Sequence, residues 1–332
     1  MSRPGNMVSV ILIASALASP ALAAEFIIVN LDDPNEGLND ITAVSPEGGN
    51  SGTTLGEQRM MVLEEAAARW AEFLELSVDI RVGAKFDVLD CSETSGILGS
   101  AGPDFVDRDF TGAPNADTWY PIALADTLRG SNTLGPDQEH IGSTYNVKLD
   151  DGDSACLGGA TWYYGLDGNV PSGEIPLFPV VLHELGHGLG FTTFVDLENG
   201  TKFNGDDDVF MQFLRDQETG KQWPTMTDQE RADSALNNPE VVWTGSNVDE
   251  QSDIVTASAA FNGGLLRMHA PDPLEGGSSI SHWTTDADPA LLMEPVIDGS
   301  LWDQVDLTPA LLEDIGWPVR VLSLIFEDRF EN

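Results

Sequence analysis

The sequence predicts an α+β fold in which a mixed β-sheet occupies the first half and a smaller, loop-rich unit the second half. Gly56–Leu76 carries apolar residues at helical spacing and is rich in strong helix formers. Two short β-rich segments, Glu25–Leu31 and Ser77–Val82, flank this helix. A second apolar segment, Leu177–Phe191, opens into polar side chains, which is typical of a helix buried along one stripe.

The elements of the first half follow in order along the chain. Glu25–Leu31 predicts a strand, and the turn-rich segment Asp32–Asn39 predicts a loop after it. The apolar face of the first helix consists of Met60, Leu63, Ala67, Trp70 and Leu74. In Ser77–Val82 every second residue is apolar, which predicts a strand that packs on this helix.

The middle of the chain is less regular. Residues 91–140 are rich in Gly, Pro, Asp and Asn, so we expect loops and short strands around apolar islands such as Trp119–Ala125. Gly158–Tyr164 (GGATWYY) predicts a strand. This strand is either an exposed sheet edge or an aromatic strand of the core, and the sequence leaves both interpretations open.

The segment Leu177–Phe191 (LFPVVLHELGHGLGF) contains His183, Glu184 and His187 in the arrangement H-E-x-x-H. We expect its helix to begin near residues 175–177 and to end at residues 188–190, where glycines let the backbone turn away. Residues four apart share one helix face, so both imidazoles can bind one ion while the carboxylate lies beside it. The pattern predicts a zinc site at which the glutamate takes a proton from water. The alternative is a buried helix with two hydrogen-bonded histidines.

A catalytic zinc site normally has three protein ligands, so a third is needed. The gluzincin pattern E-x-x-x-D does not occur after Gly190. Thr193 stands where the motif H-E-x-x-H-x-x-G-x-x-H would place its last histidine. The histidines that remain downstream are His269 and His282, and His282 precedes a tryptophan and lies eleven residues before Met293.

With these residues the sequence resembles the leishmanolysin branch of the metzincins, in which H-E-x-x-H-x-x-G-F is followed by a long insertion, a His-Trp pair and a methionine turn. The residues that match are His183, Glu184, His187, Gly190 and Phe191, followed by His282-Trp283 and Met293-Glu294-Pro295. The match covers residues 175–320 and does not extend to the first hundred residues. The resemblance implies a zincin or metzincin-like fold, zinc ligands at His183, His187 and His282, and a hydrophobic floor formed by Met293.

The resemblance also implies a domain organisation and an activity. An N-terminal metzincin subdomain with the active-site helix would span residues 24–190, a C-terminal subdomain with the insertion residues 191–320, and a tail residues 321–332. The predicted function is a zinc-dependent endopeptidase that hydrolyses protein or peptide substrates with Glu184 as general base. The alternatives are a secreted zinc-binding or adhesion protein without significant turnover, hydrolysis of a non-peptide amide, and an aspartate such as Asp196 as a ligand.

Three further elements are expected in the second half, and one in the tail. Thr227–Leu236 begins with a good capping residue and predicts a helix, and Glu240–Thr244 predicts a strand. Pro309–Ile315 predicts a short helix with Thr308 as its N-cap. Leu322–Asn332 is interpreted as a terminal strand.

The composition and the N-terminus predict a secreted protein. Residues 1–23 have the pattern of a secretory signal peptide, with Arg3, an apolar stretch and an A-x-A cleavage site, so the mature chain would begin near Ala24. No other segment has the roughly 18 uninterrupted apolar residues of a membrane span, so membrane anchoring is not expected. Fifty-five acidic and 15 basic residues give a formal charge of −40, which disfavours nucleic acid and anionic lipid as partners.

Two features suggest further cross-links. Cys91 and Cys156 are the two cysteines of the chain, and in an exported protein they predict one disulfide. The acidic clusters Asp150-Asp151-Gly152-Asp153 and Asp206-Asp207-Asp208 are candidates for calcium. Neither cluster has the spaced ligands of a calcium loop, so solvated turns are the preferred interpretation.

Overall fold

The structure is a computed structural model that describes residues 24–261 and 264–320. The predicted signal peptide (1–23) and the predicted terminal strand (322–332) lie outside these ranges. Within them the chain has the predicted α+β character, with six α-helices and several small sheets. None of the helices in these ranges combines the length and the apolar character that crossing a membrane requires.

Most helices and strands of the described ranges are short. The α-helices are α1 (Leu55–Phe73), α2 (Ile122–Arg129), α3 (Leu177–Leu189), α4 (Asp228–Ser234), α5 (Ser246–Gln251) and α6 (Thr308–Asp314). The strands are β1 (Phe26–Asn30), β2 (Ile80–Asp87), β3 (Gly99–Pro103), β4 (Val106–Arg108), β5 (Thr118–Pro121), β6 (Ile141–Asn146), β7 (Thr161–Tyr163), β8 (Glu174–Pro176), β9 (Asp207–Asp208), β10 (Leu214–Asp216) and β11 (Val241–Trp243).

The largest sheet has the strand order β1-β2-β6-β3. Strands β1, β2 and β6 are parallel, and β3 pairs antiparallel with β6 at the edge. Helix α1 packs on α3, and the indole Nε1 of Trp70 donates a hydrogen bond to the carbonyl of Leu182 at 3.1 Å. Helix α3 lies so close to β6 that Gly188 has no room for a Cβ beside Ile141. The sheet and α1 therefore hold α3 in a fixed position.

Helix α1 begins with a capping box, which explains its sharp start. The Thr54 side chain accepts from the Glu57 amide, and the Glu57 carboxylate accepts from the Thr54 amide, each at 3.2 Å. The helix ends at Phe73, three residues before the predicted end at Leu76. Strand β2 begins at residue 80, not at the predicted Ser77, because its pairing with β1 begins at Ile80 opposite Phe26. The Ser77 hydroxyl donates to the carbonyl of Thr127 at 2.6 Å.

The prediction of loops and short strands for residues 91–140 was wrong in one respect, because α2 lies there. The apolar island Trp119–Ala125 spans the end of β5 and the start of α2, with Pro121 at the junction as N-cap. Proline disfavours the helical conformation at the residue before it, so the strand ends as the helix begins. The helix ends at Gly130, whose φ is 73°.

The predicted strand Gly158–Tyr164 is shorter than expected and lies in the core. Strand β7 pairs in parallel with β8, and the side chains of Trp162 and Tyr164 are buried. This burial agrees with the aromatic core strand, although β7 is also an edge because its sheet has two strands. The strand that lies at a sheet edge beside α3 is β3.

The second half contains the predicted elements, with small shifts. Helix α4 has a capping box between Thr227 and Glu230, and β11 pairs antiparallel with β10. Helix α6 begins at Thr308, so its N-cap is Leu307 and the predicted cap is one residue late. The aromatic rings of Phe210 and Trp243 pack with their centroids 4.8 Å apart in the core of this half.

The predicted disulfide between Cys91 and Cys156 is confirmed, with Cα atoms 5.1 Å apart. Beside it, the Leu157 amide donates to the carbonyl of Ser92 at 2.7 Å. These contacts join the segment that leads into β3 to the segment that leads into β7. The disulfide and this hydrogen bond therefore hold in place the segment that precedes the edge strand β3.

Candidate metal site

Three buried imidazoles meet between α3 and the loop before Met293. His183 and His187 lie one turn apart on α3, and His282 comes from the second half of the chain. Their Nε2 atoms are 3.1 Å apart for His183 and His282, 3.1 Å for His187 and His183, and 3.2 Å for His187 and His282. Among the described residues, these histidines are the one group of His, Cys, Asp or Glu side chains whose atoms are placed to hold a metal ion.

Backbone carbonyl oxygens fix the orientation of all three rings. Each Nδ1 donates to one such oxygen: His183 to Leu292 at 2.7 Å, His187 to Phe191 at 2.8 Å and His282 to Ser278 at 2.8 Å. A carbonyl oxygen can only accept, so each Nδ1 carries the proton and each Nε2 presents a lone pair. The three lone pairs are therefore directed toward one another.

Burial keeps these imidazoles neutral. Desolvation lowers the pKa of His183 to about 3 and that of His187 to about 4, and it lowers the pKa of His282 well below its usual value. The neighbouring imidazoles lower the pKa of His183 and of His282 further. Because neutral nitrogens with facing lone pairs repel one another, this arrangement is suited to a cation placed among them.

The distances and the donor set fit a zinc ion. Tetrahedral bonds of about 2.0–2.1 Å to three nitrogens would place those nitrogens about 3.3–3.4 Å apart. The observed separations of 3.1–3.2 Å are close to this value. Three imidazoles leave a fourth position open, as in catalytic zinc sites. Imidazole also suits copper, iron and nickel, so the histidines fit a metal ion without fixing which one.

Helix α3 has the bounds that the sequence predicted. It begins after Pro176 and ends at Gly190, whose φ of 123° favours glycine. A Cβ at Gly190 would lie 2.8 Å from the Ile315 side chain. The indole Nε1 of Trp317 donates to the carbonyl of Leu189 at 2.8 Å. The end of the helix that carries His187 is therefore tied to the C-terminal segment after α6.

Thr193 occupies the position at which the three-histidine motif would continue, and it is not part of the metal group. Its hydroxyl donates to the buried carboxylate of Asp208 at 2.8 Å, which also accepts from the amides of Phe194 and Met211. Desolvation raises the pKa of Asp208 to about 6, although these three hydrogen bonds lower it. The chain after α3 is therefore held by a carboxylate, and the third imidazole comes from His282.

Met293 packs against the turn of α3 that carries both histidines. Its Sδ lies 2.7 Å from the point that a Cβ of Gly186 would occupy, so only glycine lets the two segments approach this closely. The Trp283 amide donates to the Met293 carbonyl at 2.8 Å. The Leu292 amide donates to the carboxylate of Asp306 at 2.5 Å. This turn therefore holds both Met293 and the Leu292 carbonyl that orients His183.

Glu184 follows His183 in α3 and faces the edge strand β3. Its side chain is 7% exposed, and desolvation raises its pKa to about 8, while a hydrogen bond from the Ala101 amide lowers it. A Cβ at Gly99 would lie 2.9 Å from Glu184 Cγ and 3.0 Å from Oε1. The edge strand therefore leaves room for this carboxylate because residue 99 is glycine. A bound cation would favour its ionised form, which is the form that can accept a proton.

Comparisons with other proteins do not identify the chain. No protein-family model, curated protein or solved structure matches it. The geometry of His183, Glu184, His187 and His282 is therefore the main guide to function.

The alternative ligands considered from the sequence lie elsewhere. His269 Nε2 pairs with a carboxylate oxygen of Glu275 at 3.0 Å. The amide of His269 donates to the carbonyl of His282 at 2.9 Å, so this residue supports the backbone of a ligand. Asp196 accepts from Asn199 Nδ2 at 2.6 Å within a turn. Neither side chain belongs to the three-histidine group.

The two acidic clusters considered for calcium have protein partners instead. Asp150 accepts from Arg59 at 2.6 Å and from the Tyr164 hydroxyl at 2.5 Å. Asp207 pairs with Lys202 at 2.5 Å, and Asp208 is buried under the loop after α3. No acidic cluster is among the metal-binding groups of the described chain. Calcium binding at these clusters therefore has no structural support.

Sequence reasoning missed three residues that shape the site: Gly99, Asp208 and Asp306. Each acts on a site segment that is distant in the chain, so no local spacing marks it. The glycine-rich stretch Gly96–Gly102 was the available signal for a close backbone approach. An aspartate in a cluster gave no signal, because exposed and buried aspartates look alike in a sequence.

Proposed function

We propose that the protein is a secreted zinc-dependent endopeptidase of the metzincin type, similar to the leishmanolysin branch. The observation that carries this proposal is the convergence of three neutral imidazole Nε2 atoms, one of them on the residue next to the buried Glu184. A purely structural histidine cluster has no need of a buried carboxylate at this place, since burying a carboxylate is costly.

The metzincin assignment rests on the arrangement around α3. The first half supplies a mixed sheet with an antiparallel edge strand and the helix with two ligands. The third imidazole follows after a long insertion at His282, and Met293 packs on the ligand-bearing turn. The order of these parts along the chain is the one that the sequence resemblance implies.

Each protein group has a defined task in peptide hydrolysis. His183, His187 and His282 would hold the ion through Nε2. When bound, zinc supplies Lewis-acid chemistry, polarising an amide carbonyl and lowering the pKa of a water. Glu184 takes a proton from the attacking water and delivers it to the leaving amine. Burial of Glu184 matches this task, because a raised pKa makes the carboxylate a better base.

The edge strand β3 offers a means of binding an extended substrate. It is the last strand of its sheet, so one side of its backbone is not paired within that sheet. A peptide that adds to this edge would be bound through main-chain hydrogen bonds. It would then pass beside Glu184, which the Ala101 amide contacts. Such binding selects extended polypeptides more than a particular sequence.

Export is part of the proposal because the chain carries a disulfide. Cys91 and Cys156 are joined, and disulfides persist mainly in oxidising compartments. The signal-peptide pattern of residues 1–23 supports the same assignment.

The test is a peptide-library assay on the purified mature protein. Cleavage products are identified by mass spectrometry for three samples: the untreated protein, the protein treated with a chelator, and the chelator-treated protein to which zinc has been restored. Cleavage that the chelator abolishes and zinc restores is expected. Stoichiometric zinc binding without any cleavage would instead favour the secreted zinc-binding or adhesion protein, and cleavage that the chelator leaves unchanged would contradict the metal mechanism.

A further inference from the structure

Tyr145 has a hydroxyl with no hydrogen-bond partner among the described residues. The chain has four tyrosines, and the other three hydroxyls all have partners: Tyr120 with the Asn115 amide at 3.1 Å, Tyr163 with Asp167 at 2.5 Å and Tyr164 with Asp150 at 2.5 Å. The Tyr145 side chain is fully buried. A buried hydroxyl without a partner is destabilising, so its presence needs an explanation.

The sheet register places Tyr145 next to Glu184. Tyr145 on β6 is paired directly with Gly99 on β3. Side chains of directly paired residues point to the same face of a sheet. At Gly99 that face is filled by Glu184, whose Cγ is 2.9 Å from the Cβ position. The carboxylate therefore occupies the space beside the Tyr145 ring that a side chain at residue 99 would have filled.

The polar groups near the Tyr145 hydroxyl also point to Glu184. Ser143 lies two residues away on the same face of β6, but it is not a hydrogen-bond partner of the Tyr145 hydroxyl. The Ser143 hydroxyl donates its proton to the carbonyl of Gly83 at 3.0 Å. Ser143 is paired with Ala101, whose amide contacts the Glu184 carboxylate. Glu184 is the charged group that acts on the phenol, and its negative charge makes the phenol proton harder to remove.

We propose that Tyr145 is a positioning residue for Glu184, whose carboxylate accepts a hydrogen bond from the Tyr145 hydroxyl through one buried water. A water in such a place would satisfy a buried hydroxyl and a buried carboxylate together. The Ala101 amide then holds the carboxylate from the edge strand, and the phenol holds it from the sheet. The catalytic consequence of this contact rests on the proposed function, but the contact itself does not.

The variant Tyr145→Phe tests the proposal because it removes the hydroxyl and keeps the ring. The melting temperature is measured for metal-free protein in two backgrounds, the natural one and Glu184→Met, which has similar length and no acceptor. The expected result is a Tm loss of about 2–4 °C in the natural background, the shift typical of one lost hydrogen bond. No loss, or a gain, is expected in the Glu184→Met background. Equal Tm changes in the two backgrounds would overturn the proposal.

The matched control is Ser143→Ala, which removes the other polar neighbour of the phenol. If the hydroxyl acted only through Ser143, Tyr145→Phe would cause no further Tm change in the Ser143→Ala background, and the proposal would be overturned. For the zinc-loaded enzyme, Tyr145→Phe is expected to lower kcat about tenfold while KM and zinc content stay within about twofold. A change in KM without a change in kcat would contradict a role of Tyr145 in positioning Glu184. If the natural protein cleaves no peptide, the proposed function fails, and the Tm comparison still decides this proposal.

Discussion

The two halves of the molecule hold their parts of the histidine site in different ways. In residues 24–190, the helical repeat of α3 places His183 and His187, and α1 and the main sheet hold that helix. In residues 191–320, short elements and loops bring in His282 and Met293, and single hydrogen bonds to the backbone fix them. The first half orders its ligands by local repeat, whereas the second half depends on contacts between distant segments.

The largest effect is expected when His282, the imidazole that the second half contributes, is removed. His282→Ala should abolish peptide hydrolysis and lower zinc affinity by more than ~100-fold, because it removes one of three ligands. Mutating a residue that only hydrogen-bonds to a metal ligand already lowers metal affinity by up to about 100-fold. The loss should be comparable to that of His187→Ala. Zinc affinity is measured by calorimetric titration.

The matched control for this variant is His269→Ala, which removes an imidazole that pairs with Glu275 outside the site. This variant should keep zinc near one equivalent. A protein in which His269 is essential and His282 is dispensable would contradict the assignment of the third ligand.

A cross-link confined to the first half should affect stability without affecting the metal. Replacing both Cys91 and Cys156 by serine should lower the free energy of unfolding by about 4 kcal/mol on the chain-entropy model. The size of this loss in unfolding free energy follows from the separation of 65 residues between the two cysteines. Urea denaturation of the natural and variant proteins measures it. A change well below about 1 kcal/mol would show that the reduced chain already holds this region together.

The carboxylate beside the ligands should affect turnover but not metal binding. Glu184→Gln keeps the shape of the side chain and removes the base, so peptide hydrolysis should fall at least ~100-fold. Zinc content should stay near one equivalent, because Glu184 is not one of the three grouped ligands. Near-normal turnover in this variant would rule out Glu184 as the general base.

The smallest expected effect concerns Asp208, which holds the loop after α3. Its folded-state pKa of about 6 lies above the ordinary value of 3.8, so its contribution to stability is present at low pH and is lost as pH rises through 6. Between pH 4.5 and 7 the natural protein should lose about 2 kcal/mol relative to Asp208→Asn. Urea denaturation of metal-free protein at both pH values measures this difference. A difference between the two proteins that does not change with pH would contradict the shifted pKa.

The parts of the fold that the sequence predicted well are those determined by local pattern. Helix α1 begins at Leu55, one residue before the predicted start, and α3 has its glycine stop at Gly190 as predicted. The pairing of Cys91 with Cys156 followed from the count of cysteines in an exported chain. The placement of His282 near α3 depended on the sequence resemblance, since nothing in its local sequence points to residues 99 positions earlier.

The parts that the sequence did not predict depend on pairing between distant segments. Strand β3 has the sequence Gly-Ser-Ala-Gly-Pro, which lacks β-branched residues and forms a strand because β6 pairs with it. Helix α2 follows a strand with no intervening loop, so the apolar run did not separate into two elements. The role of Asp208 depends on amides at residues 194 and 211, which no short pattern connects.

The separation of 99 residues between His183 and His282 gives the metal a second consequence. An ion held by both residues would close a loop longer than the one closed by the disulfide, so it would reversibly cross-link the two ends of the insertion. Under the proposed function, a molecule without the ion would lack this constraint as well as its activity. Such a molecule would unfold more readily and would be cleaved in preference to its metal-bound neighbours.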